Sequence, residues 1–177
     1  MDVWTCEQIS FPEINSAGME IVLEYTYTGS VKKESLTKDN MVEAFNAADY
    51  FQLLDLHDFI RKTVIEVTLE ENYAENYYPE LLSKAVEIIP LNDNILLNLL
   101  VEAAAIILLN NIEFDRLSIK GLQYLLSWTH GKEEPFVTPE YEVFRYSAIL
   151  AAKQVSNDSY GTVANFRTNE EFTSNRE

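Results

Sequence analysis

Residues 40–67 read NMVEAFNAADYFQLLDLHDFIRKTVIEV, and the spacing of their apolar side chains sets the architecture. Leu56, Phe59, Ile60, Thr63, Val64 and Val67 follow i, i+3, i+4, i+7, i+8, i+11, the period of one face of an α-helix and the cleanest in the chain. Just before them Met41, Phe45 and Ala48 repeat at i, i+4, i+7. They stand behind Thr37 and Asp39, either of which can accept hydrogen bonds from the first free amides of a helix. Two amphipathic helices in succession predict a helical fold.

Working upstream, Met19, Val22, Leu23 and Tyr27 fall at helical intervals over Ser16–Tyr27, with Ser16 suited to cap the start and Gly29 to end the turn beyond. Downstream, Tyr78-Pro79-Glu80 places a proline where a helix can begin. Leu81, Leu82, Ala85 and Ile89 keep one face apolar until Pro90. Ile95–Leu109 is interrupted only by Asn98 and Glu102, four apart and so on one face, which predicts a helix wedged between others. Its fifteen positions fall short of the ~20 that cross a bilayer. Ser118 is placed to cap a helix with Leu122, Leu125 and Leu126 inward, and Thr138-Pro139-Glu140 to start one with Phe144, Ala148, Ala151 and Val155 inward. Strand signals are confined to Gln8-Ile9-Ser10-Phe11 and Ser30-Val31, short enough for edge pieces. From Gly161 to Glu177 the periodicity fades, as in a mobile tail, and no repeat of fixed period is visible.

The 177 residues are 47% hydrophobic and 12% aromatic, enough to bury a core in one ordinary domain or two small ones. Thirteen Lys and Arg against 29 Asp and Glu leave a net charge of −16, which repels nucleic-acid phosphates and anionic lipid headgroups. Residues 1–70 and 71–177 contribute −8 each, so no basic patch hides in an acidic average. One cysteine, Cys6, and two histidines exclude an internal disulfide and a Cys/His zinc set. Together with an acidic start that lacks a secretory pattern, this predicts an intracellular protein, cytoplasmic or nuclear.

Catalysis finds little support. Neither Ser127 near His130 nor Cys6 sits in a motif that forces a base and an orienting group into place. His57 falls on the polar side of its helix, a solvated position, and His130 in a loop at a helix end, where its charge is favoured. The acidic pairs Asp55/Asp58 and Glu133/Glu134 are of the kind that arise by chance among 29 acids. Five glycines form no phosphate loop. Tyr73, Tyr77 and Tyr78, without basic neighbours, read as packing between helices rather than a stacking platform. No cofactor, metal or enzymatic activity is expected.

Leu23-Glu24-Tyr25-Thr26-Tyr27-Thr28-Gly29-Ser30-Val31, followed by Asn40–Leu53 with its Ala47-Ala48-Asp49, resembles the carboxy-terminal half of a BTB (POZ) domain. In that family a tyrosine-threonine-glycine turn precedes an alanine-alanine-aspartate helix and a closing helix, matched here by Tyr27–Gly29, Ala47–Asp49 and Leu56–Val67. The chain beyond, notably Phe114–Leu126 and Thr138–Phe144, resembles the BACK helices that often trail a BTB domain. The resemblance departs in the strands and helix that precede the point matching Phe11. It implies an incomplete sheet with uncovered edges, so that either another chain supplies the missing layer or the front end is only marginally ordered. Smaller departures are Gly18 within the first helix, Gly121 where an acid often closes a capping box, and Leu150 or Ala151 near a usual tryptophan.

The expected fold is therefore mainly α: residues 1–10 an unassigned start, 11–70 a partial α+β BTB portion, 71–158 an all-α BACK-like bundle, 159–177 a polar tail. The resemblance implies an adaptor that binds proteins, with a cullin of a ubiquitin ligase and a BTB partner chain among its partners and without nucleic acid or membrane. Tyr27 matches the turn tyrosine that lies near the cullin surface in cullin-binding members, against the plainer reading of a packed aromatic at a helix end. The hydrophobic-x-glutamate cullin motif belongs ahead of Phe11 and transfers to nothing here. Beside the adaptor stand a truncated relative that binds through its helices without recruiting a cullin and, more remotely, an acid-rich hydrolase.

Overall fold

The computed structural model describes residues 11–68, 74–91, 94–113, 115–130 and 136–155. Among them are seven α-helices and two short 3-10 turns, with no strand. The helices are α1 (Ser16–Thr28), α2 (Met41–Tyr50), α3 (Leu54–Thr68), α4 (Ala74–Ile88), α5 (Ile95–Ala105), α6 (Ile119–Thr129) and α7 (Glu140–Val155). Ser30 and Val31 lie in the turn that leaves α1, so the edge piece expected there does not form, and Phe11 is likewise outside any strand. Residues 8–10, Tyr73, Phe114, Glu133, Glu134 and the expected tail lie outside the described residues. The chain divides into two compact units, residues 1–67 and 68–177.

In the first unit α1 packs against α2. Met41, Val42, Ala44, Phe45, Ala47 and Ala48 of α2 are buried, as are Leu56, Ile60, Thr63 and Val64 of α3, while Phe59 is half-buried. On α1 the inward face differs from the expected one: Gly18, Ile21 and Val22 are buried, and Leu23 and Tyr27 are exposed. The reason is Gly18. A Cβ built there would stand 2.5 Å from the Glu43 carbonyl oxygen and 3.2 Å from Ala47 Cβ, so this glycine is the point where the two helix backbones approach most closely. The residue that reads as a weakness in the helix sets its rotation. The cap is one residue earlier than expected, Asn15, whose Oδ1 accepts from Gly18 N–H (2.9 Å). Asn40 holds the N-cap position of α2, and its side chain bonds to Thr37 N–H and the Ser35 carbonyl instead of capping the helix.

In the second unit α4 packs on α5 and α6, α5 also meets α6, and α7 lies on α6 and on the 3-10 turn Leu109–Asn111. Tyr78, Leu81, Leu82, Ala85 and Ile89 of the α4 segment meet Leu96, Leu97, Leu100, Val101 and Ala104 in a dry core. Pro79 does not open α4 but sits inside it, where it forfeits one i→i−4 bond. Ser83 Oγ donates to the Pro79 carbonyl (2.7 Å), lies 3.0 Å from the Arg116 carbonyl and accepts from Ser118 N–H (2.8 Å). One hydroxyl thus ties α4 to the entry of α6. Gly121 is the counterpart: its Cβ would meet Leu117 Cδ1 at 3.0 Å and Ser83 Oγ at 3.1 Å, and its N–H donates to the capping Ser118 Oγ (3.0 Å). A larger residue at 121 would push against that junction, which accounts for the departure from the capping box.

Two expectations in this unit are corrected. The helix over Ile95–Leu109 ends at Ala105: Ile106 keeps near-helical backbone angles (φ −86°, ψ −4°) in a closing turn, in which the Ile107 N–H reaches the Ala104 carbonyl at 3.1 Å. The backbone extends at Leu108 (φ −64°, ψ 128°), and the 3-10 turn with buried Leu109 and Ile112 comes next. On α7 the stripe expected inside is outside. Tyr146, Ile149 and Leu150 are buried, whereas Phe144 and Val155 are 73% and 80% exposed and Ala151 is exposed. Two stripes of α7 compete, and the one with larger apolar side chains turns inward. Buried Thr138 fixes the entry by accepting from Leu109 N–H (3.0 Å), and the Lys153–Asp115 ion pair lies farther along.

Candidate functional site

The exit of α1 carries the residue that the sequence singles out. Gly29 ends the helix in the left-handed region (φ 75°), its N–H donating to the Tyr25 carbonyl at 2.8 Å. Thr28 Oγ1 donates to the Glu24 carbonyl (2.7 Å) and accepts from Ser30 N–H (3.3 Å). Glu24 then reaches across the turn: its Oε1 accepts from Lys32 N–H and from Ser35 Oγ, both at 3.2 Å. Asn40 closes the far end, accepting from Thr37 N–H (2.8 Å) and donating to the Ser35 carbonyl (2.9 Å). Val31 and Leu36 are buried beneath this connection, and Lys33 pairs with Glu66 of α3 at 3.2 Å. The segment 29–40 is stapled from both sides.

On that fixed platform Tyr27 is 85% exposed. The packed-aromatic reading of this side chain is overturned: the ring stands in solvent. Leu23, one turn earlier, is 46% exposed, so an apolar pair at i, i+4 lies at the carboxy-terminal end of α1. An exposed tyrosine has few side-chain torsions to lose on contact, an aliphatic neighbour beside it and a hydroxyl for a rim hydrogen bond, the chemistry of an interface anchor. The Glu24 and Asn40 staples escape sequence reading, because their partners come together only when the turn closes; a Glu facing a Ser eleven residues on forms no local motif.

Residues 4–67 match the BTB/POZ domain family. The match ends where the first compact unit ends, at residue 67, and the Tyr27 platform lies inside it. Neither the curated proteins nor the solved structures give a significant match. BTB domains are protein-interaction domains, and an exposed aromatic on a stapled turn suits that role.

The other singled-out residues of the BTB segment are not gathered into a reactive centre. His57 is not a freely solvated side chain as expected: it is half-buried, its ring 4.0 Å from that of Phe45 at 39°. With Ala48, Asp49, Gln52 and Leu54 it lines an open cleft of about 230 Å³. Gln52 there holds a left-handed φ of 56°, strained for a side chain with a Cβ. Asp55 and Asp58 are both exposed, and Asp58 pairs with Arg61 at 3.3 Å. Beyond the segment, His130 caps the end of α6 and is exposed. Tyr77 and Tyr78 meet edge to face with centroids 6.4 Å apart. Burial raises both phenols, with Tyr77 pushed up to about 12 by burial first and then by Tyr78 and Glu80. Among the described residues no group of three or more His, Cys, Asp and Glu could hold a metal, and no helix is long and apolar enough to cross a membrane.

Proposed function

We propose that this protein is an intracellular adaptor of the BTB-BACK kind, non-enzymatic and cofactor-free, whose BTB segment docks on a cullin amino-terminal domain through the Tyr27 platform. The helices of residues 71–158 act as its BACK-like second domain. The observation that carries the reading is Tyr27 itself, a solvent-exposed ring at the end of α1, beside a connection held by Glu24, Thr28 and Asn40 inside the matched segment. The charge of −16 supports a partner with a basic face, which hastens encounter and disfavours wrong partners.

The test is interferometry of the full chain on an immobilised cullin amino-terminal domain, alongside Tyr27→Ala. Loss of an interface anchor of about 2 kcal/mol weakens binding roughly 30-fold, with thermal unfolding unchanged because the ring covers nothing. Binding that ignores Tyr27→Ala, or no binding where a complete family member binds, rules the platform out as a cullin site.

A further inference from the structure

The outward stripe of α7 has a regularity beyond exposure. Tyr141, Phe144, Ala148, Ala151 and Val155 are spaced 3, 4, 3, 4, the a/d seam of a coiled coil, narrower than the broad face a helix turns toward a globular core. All but half-buried Ala148 are exposed, and the buried Tyr146, Ile149 and Leu150 occupy the opposite side of the same helix. α7 therefore presents two apolar faces, of which its own unit uses one.

We propose that the second face is a self-association seam: two copies of this chain pair their α7 helices antiparallel about a two-fold axis. Three properties of the stripe choose that occupant. First, the side chains are self-complementary when reversed. In the register that places a positions opposite d positions, Phe144 faces Val155 of the second copy and Ala148 faces Ala151, then the same two layers recur in mirror order. Bulk meets the mid-sized residue at the ends, and alanine meets alanine at the centre, where the backbones come closest.

Second, the flanks tolerate a like partner. The chain carries 29 acids, yet residues 143–155 contain none. Antiparallel pairing sets Ser147 opposite Gln154 and Arg145 opposite Ala152, so no acid faces an acid although each copy bears −16. Arg145 already meets Glu142 within its own helix, at 3.3 Å. Third, the seam is short. Residues 144–155 span about 16 Å of helix, two layers of side chains from each copy, a contact below the ~1,200 Å² of stable complexes and suited to a weak dimer of roughly 10–100 µM.

Sedimentation equilibrium of the full chain from about 5 to 300 µM, a span bracketing that range, reads the proposal directly. The wild type shifts from monomer to dimer, and Phe144→Glu/Ala151→Glu, at two exposed positions of the seam, stays monomeric with an unchanged melting temperature. A wild type that is monomeric throughout overturns the proposal and leaves the seam to a helix of another protein. A double variant that still dimerises overturns it in favour of another surface. Direction is read in a Cys6→Ser background: Val155→Cys mixed with Phe144→Cys forms a disulfide-linked dimer, and Val155→Cys alone does not. A Val155→Cys self-link, or no mixed link, refutes the antiparallel register.

Discussion

Replacing Gly18 by alanine puts the packing of the BTB segment to a sharp test, because two effects of opposite sign meet at one methyl group. In an exposed helix interior the change stabilises by about 1 kcal/mol, since alanine loses less backbone entropy on folding. Here the new Cβ would lie 2.5 Å from the Glu43 carbonyl oxygen and 3.0 Å from its carbon. An ordinary carbon–oxygen contact is ~3.3 Å, so α1 and α2 must separate by roughly 0.8 Å. The obstacle is backbone and cannot swing aside. Against backbone, overpacking falls in the upper part of its usual range, about 2–3 kcal/mol even after relaxation, and it loosens the contacts of Ile21 and Val22 that depend on the same approach. Overpacking outweighs the propensity gain, leaving Gly18→Ala destabilised by about 1–2 kcal/mol, a fall of roughly 5–15 °C for a unit of this size. Thermal and urea unfolding followed by circular dichroism measure it. Gly29→Ala separates the two causes: nothing lies within 4 Å, so its loss of ~1–2 kcal/mol is backbone strain at φ 75° alone, with the α1–α2 contact intact. A Gly18→Ala protein as stable as the wild type, or more so, would mean that α1 does not meet α2 through this glycine.

Phe59→Ala, at a half-buried position, should destabilise the first unit by about 1.5–3 kcal/mol, below the 3–5 of a fully buried phenylalanine; urea midpoints with an unchanged slope check it. Ser83→Ala leaves Ser118 N–H without its acceptor and should lose about 1–3 kcal/mol in the second unit, seen as faster amide exchange at the start of α6. Alkaline unfolding carries a definite sign. Tyr77 is pushed up to about 12, and burial raises Tyr78 and Tyr146, whereas the unfolded chain ionises near pH 10. The folded state therefore holds protons that the unfolded state releases, and stability is full below pH ~10 and falls as the pH climbs toward the folded values. Melting curves between pH 8 and 12 that stay flat would contradict the burial of these rings.

How far the sequence reveals this molecule depends on which physical signal is asked for. The seven helices lie close to where period and capping residues place them, because Ser118, Gly29, Pro90 and the Leu56–Val64 stripe act within a turn or two of chain. Rotation is less legible. On α1 and α7 two apolar stripes compete, and the choice rests on partners far along the chain: Glu43 for Gly18, Leu109 for Thr138. The helix that stops at Ala105 misleads because Ile106–Leu109 is as apolar as the helix before it, and the turn that closes it at Ile106 and Ile107 carries no glycine, proline or capping residue to mark it. Tyr27 is legible through its turn. The Glu24 and Asn40 bonds that fix its platform are not, since they span five to eleven residues of irregular chain.

The most direct measurement is hydrogen–deuterium exchange of the full chain with and without a saturating cullin amino-terminal domain. Docking through Tyr27 predicts slowed exchange centred on residues 23–36, the end of α1 and its stapled turn, and no slowing there in Tyr27→Ala. Unchanged exchange across those residues, or protection confined to the helices beyond residue 67, would contradict it.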